Sequence, residues 1–480
     1  MNEAYSFDIV IVGGGISGLC AAARASEITD GSIAVIEAGK ILGGNGRLAR
    51  TFISSDFSDY GDYSTDANAE KLYRNTMDTL HNTGNPEIIK RYLYNTKTIA
   101  RWLEGRGIEW EPVPANAGPF RSDCSRNVEL HDDGTGAARL GAVICDKLIE
   151  QCRRSGKVRF FMQTRAVKLL TDGEGNVSGV AARSDAEGKN LVFNSKRLIL
   201  SCGGVGGSHE SLARYLPKYF VMGDDLRIGG VRTCVGDGIA MAAELGAETE
   251  VSMNIHLLGP TYAGGRFSKL FPVGIDPRSY IVNKHGRRVM DESKFRDAQE
   301  LTNRSPGKVL YEIYDKEGIE RIWSDAHAGD PPYGAEEFAE RFASEIKRGW
   351  LCITDTLGGA AEFIGCREDI LRAGIERYNA ACRAGYDEHL LKPAQHLMAI
   401  GGGPYYVLYC IRDMDSTQGG ISVNRDFQAV TPEGEAIGNM YVTGDHVSGW
   451  VSEFYGPGGA GMSWAMTSGY LAGEDAAGAI

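Results

Sequence analysis

Residues 7–37 read FDIVIVGGGISGLCAAARASEITDGSIAVIE, and this stretch holds, in order, each part of a dinucleotide-binding βαβ unit. The apolar run Ile9-Val10-Ile11-Val12 predicts a buried parallel strand. Gly13, Gly15 and Gly18 then form GxGxxG: the first for a tight turn, the second for close approach of backbone to a pyrophosphate, the third for packing of helix against strand. Ile16 and Ser17 open the helix, Ala21, Ala22, Ala23 and Ala25 favour its close packing, and Ile33–Ile36 predicts a second strand ending on Glu37. The helix N-terminus offers its positive dipole end to the diphosphate, and the Glu37 carboxylate, with Ala38 beside it, can accept hydrogen bonds from ribose hydroxyls. The expected ligand is an adenine dinucleotide whose adenosine ribose is not phosphorylated. A bare GxGxxG is also an ordinary strand-to-helix turn; strand, alanine-rich helix, second strand and acid together set this one apart.

The 480-residue chain has room for two or three domains and a large core, with 42% hydrophobic residues and a formal net charge of −12. That acidic balance argues against nucleic acid or an anionic membrane surface as partner. No uninterrupted apolar run approaches the roughly eighteen residues of a membrane span. The leader MNEAYSF has neither a basic n-region nor a separate apolar core, so a cytoplasmic location is expected. Ten cysteines are scattered without CxxC or CxxCH, which favours buried reduced thiols and gives no support to iron–sulfur, haem or other metal sites.

Beyond the βαβ unit lies a second glycine turn, Gly43-Gly44-Asn45-Gly46. Apolar residues at helical spacing follow between Ala67 and Gly105. Val158–Phe161, Ala166–Leu170 and Val177–Ala182 read as a β-meander, and Arg197–Leu200 as a further buried strand leading into Ser201-Cys202-Gly203-Gly204. Gly236-Asp237-Gly238 opens a short helix that a glycine stops. Met440–Thr443 reads as a strand ending at Gly444-Asp445, and after Gly456-Pro457-Gly458-Gly459 an alanine- and glycine-rich helix runs to about Gly473. More charged sequence interrupts this rhythm, predicting an α/β chain in three segments: a Rossmann-like binding domain over 1–250, an inserted α+β capping domain over 251–417, and the rest of the binding domain over 418–480.

GGGISGL with Glu37, the Gly43-Gly44-Asn45 turn, LILSCGGVGG, GDGIAMAAELGA, VNKHGRRVMDES, and VTGDHVSG followed by GPGGAGMSWAMTSGYLAG together resemble, over nearly the whole chain, the flavoproteins of the fumarate reductase and 3-ketosteroid dehydrogenase superfamily. The resemblance implies FAD, with a capping domain closing over its ring system. By it, Gly13, Gly15, Ile16, Ser17, Gly18, Glu37 and Ala38 carry the ADP half. Gly43, Gly44 and Asn45 lie along the diphosphate and flavin side, Ala166 and Gly203 border the adenine, and Gly46, Val167, Cys202, Gly204 and Asp237 are further cofactor-binding positions. Gly444 and Asp445 meet the ribityl chain, with Asp445 in place of the usual glutamate. Gly459, Ala460, Gly461 and Met462 face the pyrimidine edge. Gly43–Arg50 contains no histidine for covalent attachment, so the FAD is expected to be non-covalent.

Reducing an activated double bond requires a hydride from flavin N5, a proton donor for the other carbon, and donors that polarise the substrate oxygen. In the fumarate reductase pattern the proton donor is an arginine four residues after the glutamate of VNxxGxRFxNE. Glu292 ends the matching segment here and Arg296 stands at that offset; Arg278 is near in sequence but out of place. An ion pair with the adjacent Asp297 is the plainer role for Arg296. The carboxylate clamp of that pattern, a histidine before TxGG and an arginine before the flavin-facing GG, is replaced by Ser416 and Gly456.

Tyr455-Gly456-Pro457-Gly458 resembles instead the YPGPG segment of ketosteroid dehydrogenases, whose tyrosine polarises a ring ketone; a packed aromatic lid is its plainer role. His256 aligns with a histidine that opens the capping domain, where it either binds a substrate oxygen or is a satisfied core residue. The combination implies a reductase of a carbonyl- or phenol-activated double bond on a ring-bearing, steroid- or isoflavonoid-like substrate, similar in kind to tetrahydrodaidzein reductase or 3-oxosteroid reductases. A ketosteroid-type dehydrogenase and a fumarate reductase-like enzyme for a small unsaturated acid are the alternatives. With no second GxGxxG unit visible, electrons are expected from NADH, a reduced flavin or a redox protein.

Overall fold

The computed structural model describes residues 3–49, 51–55, 65–112, 125–128, 140–216, 226–249, 254–263, 276–294, 305–326, 334–451, 456 and 458–480. The opening stretch folds as β1 (Glu3–Val12), α1 (Ile16–Ile28) and β2 (Ile33–Ile36). β1 lies at the centre of an eight-stranded sheet. β2 pairs with it in parallel from Ile9↔Ile33 to Val12↔Ile36, and the strand Lys189–Leu200 pairs in parallel on its other side. Val158–Phe161 adds in parallel beyond β2, and Ala436–Val442 in parallel beyond Lys189–Leu200. Parallel strands covered on both faces explain why Ile9, Val10 and Ile11 are fully buried.

The expected meander is corrected at its first member. Val158–Phe161 belongs to the parallel sheet, and the meander comprises Thr164–Thr171, Val177–Ser184 and Lys189–Leu200. A left-handed Gln163 (φ 49) reverses the chain between them. Phe161 stays with the sheet because it packs edge-on to Tyr5, Phe7 and Phe193, with ring centroids 4.8–5.8 Å apart.

The helical stretch from Ala67 is two helices, Thr65–Thr79 and Pro86–Glu104. Left-handed His81 and Asn82 break it, and the second helix restarts on the Asn85 side chain, which accepts from the amides of Glu87 and Ile88, with Pro86 in the first turn. Asn85→Ala is expected to lower stability by about 1 kcal/mol in urea unfolding, the usual loss of an N-cap.

The last helix runs past Gly473, over Ala460–Gly478. Its glycines serve contact with α1: a Cβ on Gly469 would lie 2.1 Å from the Ser17 carbonyl oxygen, and one on Gly473 2.5 Å from that of Ala21.

A six-stranded second sheet is organised on the 14-residue strand Tyr405–Gln418. Asn254–Tyr262, Leu310–Tyr314 and Leu351–Thr354 pair antiparallel with it, and Arg227–Ile228 pairs in parallel. Tyr406, Leu408 and Cys410 sit in the core of this sheet, whereas Met414 joins the core of the first. One strand therefore connects both hydrophobic cores and carries its last residues into the binding body.

The second body also buries a charge quartet. Arg288 binds Glu292 at 2.8 Å and Asp387 at 2.6 Å, and Lys392 reaches Glu292 at 3.2 Å. Lys392 also donates to the Ser279 carbonyl and the Tyr378 hydroxyl, and Glu292 accepts from the Ile281 amide. Two cations and two anions balance, as burial requires.

Candidate active site

The carboxyl ends of the parallel strands converge, which is where open α/β sheets bind ligands. β1 ends on Gly13, whose amide donates to the Ile36 carbonyl at 2.7 Å. The amide of Ser201 donates to the carbonyl of Val12 (2.7 Å) and that of Thr443 to the carbonyl of Leu200 (2.9 Å). These bonds bring Gly13, Glu37, Cys202-Gly203 and Gly444-Asp445 to one edge.

Three glycines of the βαβ turn have separable roles. Gly13 has φ +108, and a Cβ on it would lie 2.1 Å from the Ser201 carbonyl oxygen; one on Gly18 would lie 2.0 Å from that of Gly13. Both are required by the protein's own packing. Around Gly15 nothing lies within 4 Å of an added Cβ, so its small size leaves space for something else. Gly15 is the N-cap of α1, with no side chain capping the first turn, and the amides there suit an anion. The Glu37 carboxylate is held by the Gly14 amide at 2.8 Å and the Gly39 amide at 2.5 Å, each oxygen keeping lone-pair capacity for a further donor.

The second turn continues the glycine wall. Gly43 (φ 109) and Gly44 (φ 54) are left-handed, and the Gly43 amide donates to the Gly14 carbonyl at 2.7 Å. Asn45 Oδ1 accepts from the Val231 amide at 2.7 Å, while a Cβ on Gly46 would meet Ile16 at 2.4 Å. Ala166 is buried on its strand, and a bulge between Ala166 and Lys168 turns Val167 outward, 53% exposed. Asp237 pairs with Arg165, and Gly203 sits against Cys234. Burial pushes the Cys202 thiol well above its ordinary range and Cys234 up to about 12. All nine described cysteines are free.

Asp445 is enclosed by protein without being sealed off, and burial alone pushes its carboxyl up to about 7. Next to it His446 is fully buried, with Nε2 3.1 Å from the Leu200 carbonyl oxygen and its pKa lowered to about 4 by burial. Its ring is therefore neutral and carries its hydrogen on Nε2. A Cβ on Gly238 would lie 2.8 Å from its other nitrogen, which explains the second glycine of GDG. Gly459 (φ 93) is the N-cap of Ala460–Gly478, again without a side-chain cap, and Ala460 and Met462 are buried just inside.

Hydroxyls under this edge escape sequence reading. Thr443 Oγ1 lies 2.7 Å from both Ser17 Oγ and Ser201 Oγ, and the Ser468 hydroxyl accepts from the Gly444 amide at 3.1 Å. Their one sequence signal is adjacency: Ser201 and Thr443 directly precede glycine-rich turns. Gln418 is also missed, buried at the end of the bridging strand.

Of the three catalytic candidates, Arg296 and Tyr455 lie outside the described residues, as do Asp297 and Pro457. The backbone of His256 is in the strand Asn254–Tyr262, opposite Ser416. Arg278 forms a two-pronged ion pair with Asp276 at 2.8 and 2.7 Å.

Comparison with known proteins agrees with this geometry. A family model described as "FAD binding domain" matches residues 8–462. Urocanate reductase of Eggerthella lenta is 25% identical over 446 residues, 91% of this chain and 69% of that protein. Vinyl phenol reductase of Lactiplantibacillus plantarum is 24% identical over 494 residues, 98% of this chain and 96% of that protein. The chain spans 38% of NADH:acrylate oxidoreductase of Vibrio harveyi and 48% of NADH:fumarate oxidoreductase of Klebsiella pneumoniae, less than half of each. In fold it is similar to 3-ketosteroid delta1-dehydrogenase of Sterolibacterium denitrificans, with a TM-score of 0.80 at 17% identity, covering 99% of this chain and 100% of that one. Among the described residues no helix is long and apolar enough to cross a membrane.

Proposed function

This chain belongs to the FAD-binding-domain family, and from that premise we propose that it reduces a carbonyl- or phenol-activated carbon–carbon double bond on a ring-bearing, largely apolar substrate. FAD is its cofactor, and it is a flavin-dependent oxidoreductase. The observation that carries the substrate reading is the uncharged end of the bridging strand. Ser416 and Gly456 stand where the fumarate reductase pattern has a histidine and an arginine, and Ser416 is met by the Gln418 amide, which brings no positive charge. An acid with two carboxylates has no clamp there.

The residues fit the cofactor. Gly13, Gly15, Gly18, Gly43 and Gly44 form a wall that only the space beside Gly15 leaves free for a diphosphate. Glu37 is pre-oriented for ribose hydroxyls and Asp445 for the ribityl chain. The Gly459–Met462 turn supplies the positive end of the last helix. Binding is non-covalent, since Gly43–Arg50 offers no histidine. When bound and reduced, FAD supplies the hydride.

The chain's own residues do the rest. Tyr455 donates its phenolic hydrogen to the substrate oxygen, and His256 adds a second polar contact. Arg296 delivers the proton to the carbon that does not receive hydride. A guanidinium hardly releases a proton at neutral pH, so Arg296 must be reprotonated as it gives its own. The second sheet, which the bridging strand ties to the binding body, excludes water over the site. Electrons arrive from NADH, a reduced flavin or a redox protein.

Anaerobic turnover with a reduced dye tests the proposal: ring enones and vinyl phenols should reoxidise the bound flavin, and fumarate should not. Rapid reoxidation by fumarate with no response to ring compounds would reverse the substrate assignment. The Tyr455-Gly456-Pro457-Gly458 segment favours a second reading, a dehydrogenase that introduces a double bond beside a ring ketone; dye reduction by saturated ring ketones in the absence of any reductase activity would establish it.

Asp445 predicts a pH effect with a definite sign. A ribityl hydroxyl that donates to this carboxylate favours its charged form and lowers the raised value of about 7. Cofactor binding then releases a proton, and FAD affinity falls as pH drops through 7. Fluorescence titration at pH 5.5 and pH 8 should show binding about tenfold weaker at the lower pH, and Asp445→Asn should flatten that difference. The apoprotein behaves in the opposite sense. Its Asp445 favours the neutral form, so that contribution to stability is fully present below the ordinary carboxylate range and is lost as pH rises toward 7.

A further inference from the structure

The end of the strand Tyr405–Gln418 holds a polar pair whose hydrogen bonding is incomplete. Gln418 is 1% exposed. Its Nε2 donates to Ser416 Oγ at 2.5 Å, and its Oε1 is buried with no partner among the described residues. Because Ser416 Oγ is used as an acceptor, its own O–H hydrogen points elsewhere, and it too finds no acceptor among the described residues. Ser416 is half-buried. Side by side, the pair offers one acceptor, Oε1, and one donor, the serine hydroxyl. A buried carbonyl oxygen without a donor is costly, and such atoms are normally satisfied.

The pair is fixed in place. Ser416 and Gln418 sit opposite His256 and Asn254 in the antiparallel register. On the other side Thr417 Oγ1 accepts from the Val205 amide at 2.7 Å. Just beyond, the Gly419 amide donates to the Asp445 carbonyl at 2.8 Å and the Gly420 amide to Ser448 Oγ at 2.9 Å. The strand end is thereby bound to the turn that carries Asp445.

We propose that Ser416 and Gln418 are specificity-determining residues that recognise a neutral ring hydroxyl, a phenol or enol, whose hydrogen goes to Gln418 Oε1 and whose oxygen accepts from Ser416. The inference rests on the ring-substrate reading above and narrows it. A ketone only accepts and leaves Oε1 unpaired. A carboxylate sets a negative charge against Oε1, and an ether cannot donate. Of these groups only a hydroxyl satisfies both atoms.

The test reads binding apart from turnover. The holoenzyme is titrated with 4-ethylphenol, its methyl ether 4-ethylanisole and 4-ethylacetophenone, each followed by the shift in flavin absorbance. The wild type should bind the phenol about tenfold or more tighter than the ether, the discrimination expected when a buried polar atom is left unpaired. Gln418→Leu should bring the two within about threefold of each other, and Ser416→Ala should weaken phenol and ether together, about tenfold, because the oxygen of each accepts from the serine, leaving their ratio near that of the wild type. A wild-type preference for the ketone would mean that the amide presents its NH2 group, and would overturn the proposal. So would a phenol-to-ether ratio unchanged in Gln418→Leu, or loss of FAD rather than of phenol discrimination in that variant, which would assign the amide to the cofactor. Anaerobic flavin reoxidation by 4-vinylphenol is measured in parallel. Phenol discrimination without reoxidation would leave the recognition standing and remove the reductase reading; reoxidation without discrimination would do the reverse.

Discussion

Gly15→Val is expected to yield a folded protein without flavin colour, whereas Gly13→Ala is expected not to yield a folded protein. Both are single glycines of one turn, and the difference follows from what surrounds each. Gly15 has φ −66 and ψ 174, backbone that valine adopts readily, and no atom lies within 4 Å of its added Cβ. The apoprotein has nothing to clash with, so its melting temperature should stay within a few degrees of wild type. The bulk instead fills the space where the diphosphate approaches the first turn of α1. FAD affinity should fall about 100-fold or more, which is about 2.7 kcal/mol.

Gly13 is the converse. Its φ of +108 disfavours any side chain, and a methyl group 2.1 Å from the Ser201 carbonyl oxygen would force β1 away from the neighbouring strand. Thermal unfolding of the two apoproteins with fluorimetric FAD titration checks both outcomes. A Gly15→Val protein that keeps wild-type FAD affinity would show that the diphosphate does not pass there.

This contrast marks how far the sequence could be read. The βαβ unit was legible because its strand period, glycine spacing and terminal acid are local and agree with one another. The glycine turns after the later strands were legible for the same reason. Readings failed where the deciding contact is distant in sequence. Val158–Phe161 looked like part of a meander until the aromatic cluster with Tyr5, Phe7 and Phe193 drew it to the parallel sheet. The last helix was expected to run to about Gly473; it continues to Gly478, and Gly473 lies inside it, where it lets two helices touch at Ala21.

The site divides in the same way. Glu37 was singled out by its place at the end of a strand, and its two backbone donors, Gly39 two residues on and Gly14 twenty-three residues back, lie in the glycine turns at the two strand ends of the same βαβ unit. Gln418 gave no signal. A glutamine beside a glycine pair is unremarkable in sequence, and its meaning lies in one buried oxygen that the fold leaves without a donor. The Thr443 hydroxyl cluster likewise joins residues more than two hundred positions apart.

Replacing Arg296 with glutamine is expected to lower kcat by about 10²–10⁴-fold, the range for loss of a positioned proton donor, while FAD affinity stays unchanged. The argument begins four residues upstream. Glu292 is fully buried, with one carboxylate oxygen accepting from the Ile281 amide and from Arg288 Nε, and the other from Arg288 and Lys392. The Asp291 carboxylate accepts from the Ser293 amide and hydroxyl just after it. The chain thus enters the Arg296 segment from a rigid, charge-balanced anchor, which is what a group that must meet one carbon of the substrate requires. Arg296→Lys separates proton delivery from mere polarisation. An ammonium in that place titrates where a guanidinium does not, so a variant that donates protons should regain part of the lost rate and acquire an alkaline limb absent from the wild type. If Arg296→Gln retains kcat within a few-fold, the residue only pairs with Asp297, and the proton must come from Tyr455 or His256.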